Sequence, residues 1–191
     1  MIAGLVLAAG AGVRFGADES KLLAELDGRP VLEWAVRAVC DVAELERVVV
    51  VLGSRADAVL AGVDFGRGEP VVCDDWSHGQ SVSLVCGLRA LAGASKVVVT
   101  LGDEPLVSAE VVALLAAAEG GTRALYRGRP GHPVVLGPAE LQALISLRGD
   151  RGARDLLRGG PTIEVGHICS GRDVDTPDDL EAIRNEAGTV I

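Results

Sequence analysis

Short runs of apolar residues alternate along this chain with segments in which apolar positions recur at helical spacing. Ile2 to Ala8, Val48 to Leu52 and Lys96 to Leu101 are nearly continuous apolar runs. They are too short for core helices and predict strands buried on both faces of a parallel sheet. Val71 to Cys73, Ala124 to Arg127, Pro133 to Leu136 and Thr162 to Val165 predict shorter strands, the middle pair flanking a loop at Gly128-Arg129-Pro130-Gly131-His132. Helices are predicted over Val31 to Val39, Arg55 to Ala61, from Gly79-Gln80 to about Leu91, and over Ala109 to Ala118. Further helices follow over Ala139 to Ser146, over Ala153 to Arg158 after a Gly149-Asp150-Arg151-Gly152 turn, and from Pro177 onward. Pro30 suits a first helical turn and Ser108 an N-cap. The alternation predicts an α/β protein: a single-domain, three-layer, Rossmann-like fold over residues 1–191, with a mostly parallel sheet and helices on both faces.

Composition narrows the picture. Hydrophobic residues make up 49 % and aromatics 3 %, so Val, Leu and Ala must fill the core. The formal net charge of −9 argues against a nucleic-acid surface. No apolar run reaches the about 18 residues of a membrane span, and no basic-apolar leader opens the chain. A cytoplasmic protein without membrane contact is expected. The 4 cysteines (Cys40, Cys73, Cys86, Cys169) lack C-x-x-C spacing and are expected to be reduced core residues.

Candidate chemistry gathers where the first apolar run breaks into glycines at 10, 12 and 16, with Arg14 among them and Lys21 just beyond. Glycine lets peptide N–H groups approach a ligand closely. A row of such groups at the carboxyl end of a strand, backed by cations, suits phosphates. Neither familiar glycine loop fits. A P-loop needs Gly-Lys followed by Ser or Thr, whereas Gly16 precedes Ala17 and Lys21 precedes Leu22. A dinucleotide loop reads G-x-G-x-x-G with an acid ending the second strand; here the spacing is G-x-G-x-x-x-G, and that strand ends in Leu52-Gly53. The residues suit a nucleoside triphosphate, with Arg14 and Lys21 as candidate catalytic cations. A local cationic cluster with a divalent metal reconciles such a substrate with the negative chain. Lys21 itself reads as an exposed loop lysine, whose removal should barely change folding stability.

Asp103 follows an apolar strand and precedes Pro105; a turn aspartate and a Mg²⁺ ligand both answer that description. In Asp173-Val174-Asp175-Thr176-Pro177-Asp178-Asp179-Leu180, helix capping explains Thr176, Asp178 and Asp179 but not Asp175. Gln80, Ser81 and Ser83 open a helix, as caps or as ligands. His78, His132 and His167 show no metal-ligand spacing.

Several stretches carry a family resemblance. LVLAAGAGVRFG at 5–16 with Lys21-Leu22-Leu23 resembles the signature of the sugar-nucleotidyltransferase-like (GT-A type) superfamily. GQSVSL, LGDEP, GHPVVL, GARDLL and DVDTPDDL, in that order to residue 180, are similar to landmarks of its molybdenum cofactor cytidylyltransferase branch. The resemblance implies Mg²⁺-dependent transfer of CMP from CTP to the phosphate of a molybdopterin-type cofactor, with release of pyrophosphate. It further implies delivery of the product to a molybdenum hydroxylase. It puts Mg²⁺ on Asp103 and Asp175, with Lys21, Arg14 and Asp103 in catalysis. The nucleotide falls to Leu7, Ala8, Ala9, Gly10, Gly12, Gln80, Ser81, Ser83 and Gly102. Gly131-His132-Pro133, with Arg151 or Arg154, would face the second substrate. The Ala8-Ala9-Gly10 turn resembles cytidylyl enzymes, whereas guanylyl relatives carry Ala-Gly-Gly. The alternatives are guanylyl transfer from GTP, a different small phosphate acceptor such as a sugar phosphate or phospholactate, and a non-catalytic cofactor carrier. A carrier has no use for a metal and a leaving-group cation.

Overall fold

The computed structural model describes residues 1–16, 20–146 and 159–187. Strand β1 (Ile2–Ala8) is followed by a small hairpin, β2 (Glu25–Leu26) and β3 (Arg29–Pro30). Then come β4 (Arg47–Leu52), β5 (Glu69–Val72), β6 (Lys96–Leu101), β7 (Arg123–Tyr126), β8 (Arg129–Leu136) and β9 (Thr162–Glu164). They form a seven-stranded sheet in the order β5-β4-β1-β6-β8-β7-β9. Strands β5, β4, β1 and β6 are parallel neighbours, and β8 runs antiparallel to β6 and β7. The expected mostly parallel sheet is therefore present.

Helices α1 (Val31–Cys40) and α4 (Ala109–Ala117) cover one face, with α2 (Ala56–Gly62) beside α1. On the other face lie α3 (Gln80–Ala90) and α5 (Pro138–Ser146). The last helix, α6 (Pro177–Ala187), packs Leu180 and Ile183 against Phe15, Leu26 and Val31. Successive strand side chains alternate between faces. Val6, Val48, Val50 and Val98 thus join the α1–α4 core, while Leu5, Val49, Val51, Val97 and Val99 join the α3 core. Both faces of the central strands are buried, which is why their sequences read as continuous apolar runs. Each such side chain stabilises the fold by about 1.5–3 kcal/mol relative to exposure.

Several boundaries differ from the sequence expectation, each for a local reason. Helix α1 starts at Val31 as expected, but Pro30 closes the hairpin as its N-cap (φ −55°, ψ 141°) rather than standing in its first turn, and the helix runs one residue further, to Cys40. Arg55 takes a left-handed conformation (φ 57°) as the N-cap of α2 rather than its first residue. The third parallel strand is Glu69–Val72, and Cys73 leaves it while still donating its N–H to the Leu52 carbonyl at 2.8 Å. Of the expected Gly128–His132 loop, only Gly128 lies in a turn; Arg129 to His132 are strand. Arg127 and Gly128 (φ 50° and 78°) make a tight turn of the type that matches strand twist, and β8 begins at Arg129. Ser108 does cap α4, accepting from the Val111 N–H at 3.4 Å. The expected turn at Gly149–Gly152 and helix at Ala153–Arg158 lie outside the described residues. Among the described residues, no helix is long and apolar enough to cross a membrane.

Candidate active site: a glycine loop beside a lysine held by two aspartates

The glycine stretch leaves the carboxyl end of central strand β1 and turns back at once, the Phe15 N–H donating to the Gly12 carbonyl at 2.9 Å. Gly12 sits at φ 61°, in the left-handed region that favours glycine. Phe15 anchors the far end, 6 % exposed among Leu26, Val31, Val174 and Ile183. The stem of Lys21 lies against Gly12: a Cβ there would meet Lys21 Cγ at 3.3 Å. Lys21 is thereby drawn inward and is only 9 % exposed. The expectation of an exposed loop lysine is corrected here.

The ammonium of Lys21 joins the two predicted metal carboxylates. Its Nζ donates to Asp103 Oδ2 at 2.5 Å and to Asp175 Oδ1 at 2.9 Å, while Arg14 Nη2 holds Asp175 Oδ2 at 2.7 Å. Asp103 arrives just past β6. Asp175 is brought alongside because the Val174 N–H donates to the Asp103 carbonyl at 2.8 Å. Reciprocal capping of α6 fixes the next turn. The Thr176 N–H and Oγ1 donate to Asp179 Oδ2 at 2.8 and 2.7 Å, and the Asp179 N–H donates to Thr176 Oγ1 at 3.2 Å. Asp179 is thus consumed by capping, and Asp175 is left for the site.

The electrostatics follow the geometry. Burial by itself would lower the Lys21 pKa, but the charges and hydrogen bonds of Asp103 and Asp175 outweigh it and raise the value. Burial works against the Asp175 carboxylate, and the hydrogen bond and charge of Lys21, with Arg14, overcome it and hold its pKa down. At Asp173 nearby, burial and the negative charges of Asp175 and Asp103 push the carboxyl pKa up.

Beside this cluster opens a cleft of ≈ 320 Å³. Of the sequence-predicted residues, Leu7, Ala8, Ala9, Gly10, Gly12, Lys21, Gln80, Ser83 and Asp103 line it. Others do not. Ser81 is on the same first turn of α3 but outside the lining. Gly102 serves the sheet: its N–H donates to the Leu7 carbonyl at 2.9 Å, and a Cβ there would meet Leu32 Cδ1 at 2.7 Å and Ala8 Cβ at 2.9 Å. Arg14 and Asp175 stand at the ion-pair cluster rather than on the cleft wall. Arg151 and Arg154 lie outside the described residues.

The structure adds residues that the sequence reading did not single out. Trp76 and Ser77, in a 3₁₀ turn at Trp76–His78 before α3, line the cleft. Glu104, 5 % exposed, places Oε1 3.5 Å from His132 Nδ1, and its Oε2 has no hydrogen-bond partner among the described residues. Burial pushes its carboxyl pKa up, and His132 partly offsets this. All four cysteines are free thiols; burial and a hydrogen bond to Cys73 push Cys86 up to about 11, away from thiolate chemistry.

Asp103 and Asp175 fit a hard divalent cation, since their oxygens already converge on a single positive charge. Among the described residues no group of three or more His, Cys, Asp or Glu side chains forms a closed cage. Two carboxylates completed by phosphate oxygens and water is the coordination Mg²⁺ favours.

A glycine loop and Asp103 at the carboxyl ends of parallel strands β1 and β6, with Lys21 and Arg14 tying Asp175 to them, define an α/β protein whose site suits a nucleoside triphosphate. The model of the MobA-like NTP transferase domain matches residues 4–165, and the chain belongs to that family. It is 34 % identical over 194 residues to the nicotine blue oxidoreductase of Paenarthrobacter nicotinovorans, covering 94 % of each chain. A nucleotidyl transferase from Methanothermobacter thermautotroptrophicus superposes with a TM-score of 0.80 at 26 % identity, covering 100 % of this chain and 99 % of that one. The manganese complex of Rv0371C from Mycobacterium tuberculosis gives 0.75 at 26 % identity, over 96 % and 98 % of the chains.

Proposed function

We propose that the protein is a Mg²⁺-dependent cytidylyltransferase that joins CMP from CTP to the phosphate of a molybdopterin-type cofactor and releases pyrophosphate. The observation that carries the reading is the Lys21 ammonium held between Asp103 and Asp175 at the mouth of the glycine-loop cleft. The loop N–H groups bind the triphosphate, and Gln80 and Ser83 face the nucleoside. Lys21 and Arg14 stabilise the charge that grows around the attacked phosphorus and on departing pyrophosphate. Asp103 and Asp175 would hold a divalent ion, which would supply further positive charge there; the similar Rv0371C structure in complex with manganese supports the use of a divalent metal. The acceptor needs no dedicated base, because a phosphate monoester with a second pKa near about 6 is already ionised at neutral pH. The product would pass to a molybdenum hydroxylase in the cytoplasm.

One observation favours a second reading. The relative that matches over nearly the full length bears the name of an oxidoreductase, so a reductase using a nucleotide-bearing hydride donor in the same cleft is the competitor. The loop spacing and the Leu52-Gly53 end of β4 weigh against it, since no acid stands where a dinucleotide ribose would be held.

The test is a pyrophosphate-release screen of CTP and GTP against molybdopterin-type cofactor, sugar phosphates and phospholactate. Alongside it runs an assay for oxidation of reduced nicotinamide dinucleotide. Release of pyrophosphate with the pterin, faster with CTP than with GTP, is expected; hydride-donor oxidation without pyrophosphate would favour the reductase. Ala9 lines the cleft, and its methyl would narrow the approach to the base and favour a pyrimidine. A difference that small is worth about 10- to 200-fold in kcat/KM for CTP over GTP. Ala9→Gly should reduce the ratio, and a wild-type ratio favouring GTP would refute cytidylyl transfer while leaving nucleotidyl transfer in place.

A further inference from the structure

We propose that the indole of Trp76 is the platform on which the nucleobase stacks. This role rests on the reading of the cleft as a nucleoside triphosphate site and adds the residue that supplies affinity for the base.

Trp76 is half-buried on the cleft wall, while its inner side is seated on the protein. A Cβ added at Gly53 would lie 2.5 Å from Trp76 Cγ, 2.6 Å from its Cβ and 2.7 Å from the Ala9 carbonyl oxygen. The side chain therefore packs directly over the Gly53 backbone, against the first turn of the glycine loop. That seat is itself fixed, because the Ser54 N–H donates to the Ala9 carbonyl at 3.1 Å. The main chain of Trp76 is held at both ends: its N–H donates to the Cys73 carbonyl at 3.2 Å, and its carbonyl accepts from the Gly79 N–H at 3.2 Å. An aromatic ring locked in this way loses little entropy when a ligand covers its open side.

The rest of the wall gives the ligand its orientation. In the proposed orientation Lys21 and Gly12 take the phosphates, while Ala9, whose carbonyl meets Trp76 at Gly53, and Gln80 and Ser83 of α3 take the nucleoside. Among the described residues, the lining contains no other aromatic residue. Every base has a π-face, so a stacking platform adds affinity without choosing among bases. Choice is left to the smaller contacts at Ala9, Gln80 and Ser83. Trp76 is thus a binding residue for purine and pyrimidine nucleotides alike.

The experiment is calorimetric and fluorescence titration of the full chain, with Mg²⁺, using CTP, GTP and inorganic tripolyphosphate. The proteins are wild type, Trp76→Phe, Trp76→Leu and Trp76→Ala, each checked by circular dichroism and melting temperature. Both nucleotides should quench wild-type tryptophan emission, and tripolyphosphate should not. Trp76→Phe should keep nucleotide affinity within a few-fold and lose the quench, which assigns the signal to Trp76. Trp76→Leu, which keeps apolar bulk without a π-face, and Trp76→Ala should each bind nucleotide about 5- to 150-fold more weakly. Their tripolyphosphate affinity should be unchanged. Equal nucleotide affinity in Trp76→Leu and wild type overturns the stacking role and leaves the nucleotide site standing. Absence of nucleotide binding to the wild type overturns the site reading, and the stacking role with it.

Discussion

Lys21→Ala is expected to lower kcat by about 30- to 1,000-fold, the 2–4 kcal/mol that one preorganised electrostatic contact contributes to a transition state. The same change should also lower stability. Lys21 is 9 % exposed and bridges two carboxylates whose side chains are 20 % and 22 % exposed. Removing it leaves Asp103 and Asp175 facing each other, with Arg14 still on Asp175. Loss of one partner from a fully buried pair costs about 3–5 kcal/mol. Partial hydration of the carboxylates and the remaining Arg14 bring the expected loss to about 1–3 kcal/mol, or several degrees in melting temperature. A third readout separates the two effects. With the ammonium gone, the carboxylate pair lacks its shared cation, so Mn²⁺ should bind the nucleotide-free variant more tightly than the nucleotide-free wild type, as read by electron paramagnetic resonance of free Mn²⁺. Wild-type turnover in Lys21→Ala would remove it from the chemistry; unchanged Mn²⁺ affinity would show that Lys21 and the metal do not compete.

The parts of the fold that were legible in the sequence are those in which one signal dominates. Strands β1, β4 and β6 are buried on both faces, and their apolar runs leave no other reading. The hairpin β2–β3 was not legible, because a two-residue strand has no periodicity to detect. The start of β8 was hidden by Arg129-Pro130-Gly131, residues that ordinarily mark a loop; there the turn at Arg127-Gly128 and pairing of Pro130 with Leu125 decide the structure. Chemistry behaved in the same way. Glycines and charges announced the loop, Lys21, Asp103 and Asp175 one at a time. The resemblance brought Asp103 and Asp175 to one ion; residue types and spacing could not show Lys21 between them, since 82 and 154 residues separate it from its two partners. Trp76 was missed because a lone aromatic in a polar stretch carries no pattern. Glu104 was missed because nothing in its neighbours' identity indicates that it is buried.

Asp103→Asn and Asp175→Asn should each reduce turnover by at least about 100-fold, since each keeps the size of the side chain and removes a full charge from a preorganised site. The informative measurement is the double variant. Both carboxylates hold one Lys21 ammonium, at 2.5 and 2.9 Å, and both would hold one divalent ion. Groups that act on the same centre lose most of their joint effect when either is removed. The double variant should therefore be little slower than the more damaged single one, although independent sites would multiply to about 10,000-fold. Metal dependence gives the same answer by another route. Each single variant should need more Mg²⁺ for half-maximal rate, and the double variant should respond to Mg²⁺ hardly at all. The consequences for folding differ between the two aspartates. Asp175→Asn leaves Lys21 with Asp103 but deprives Arg14 of its partner, whereas Asp103→Asn leaves Arg14 and Lys21 both on Asp175. Asp175 is thus the member whose loss should cost more stability without metal. Full multiplicativity of the two rate losses at saturating Mg²⁺ would separate the aspartates into two independent sites and remove the shared-ion arrangement from the mechanism.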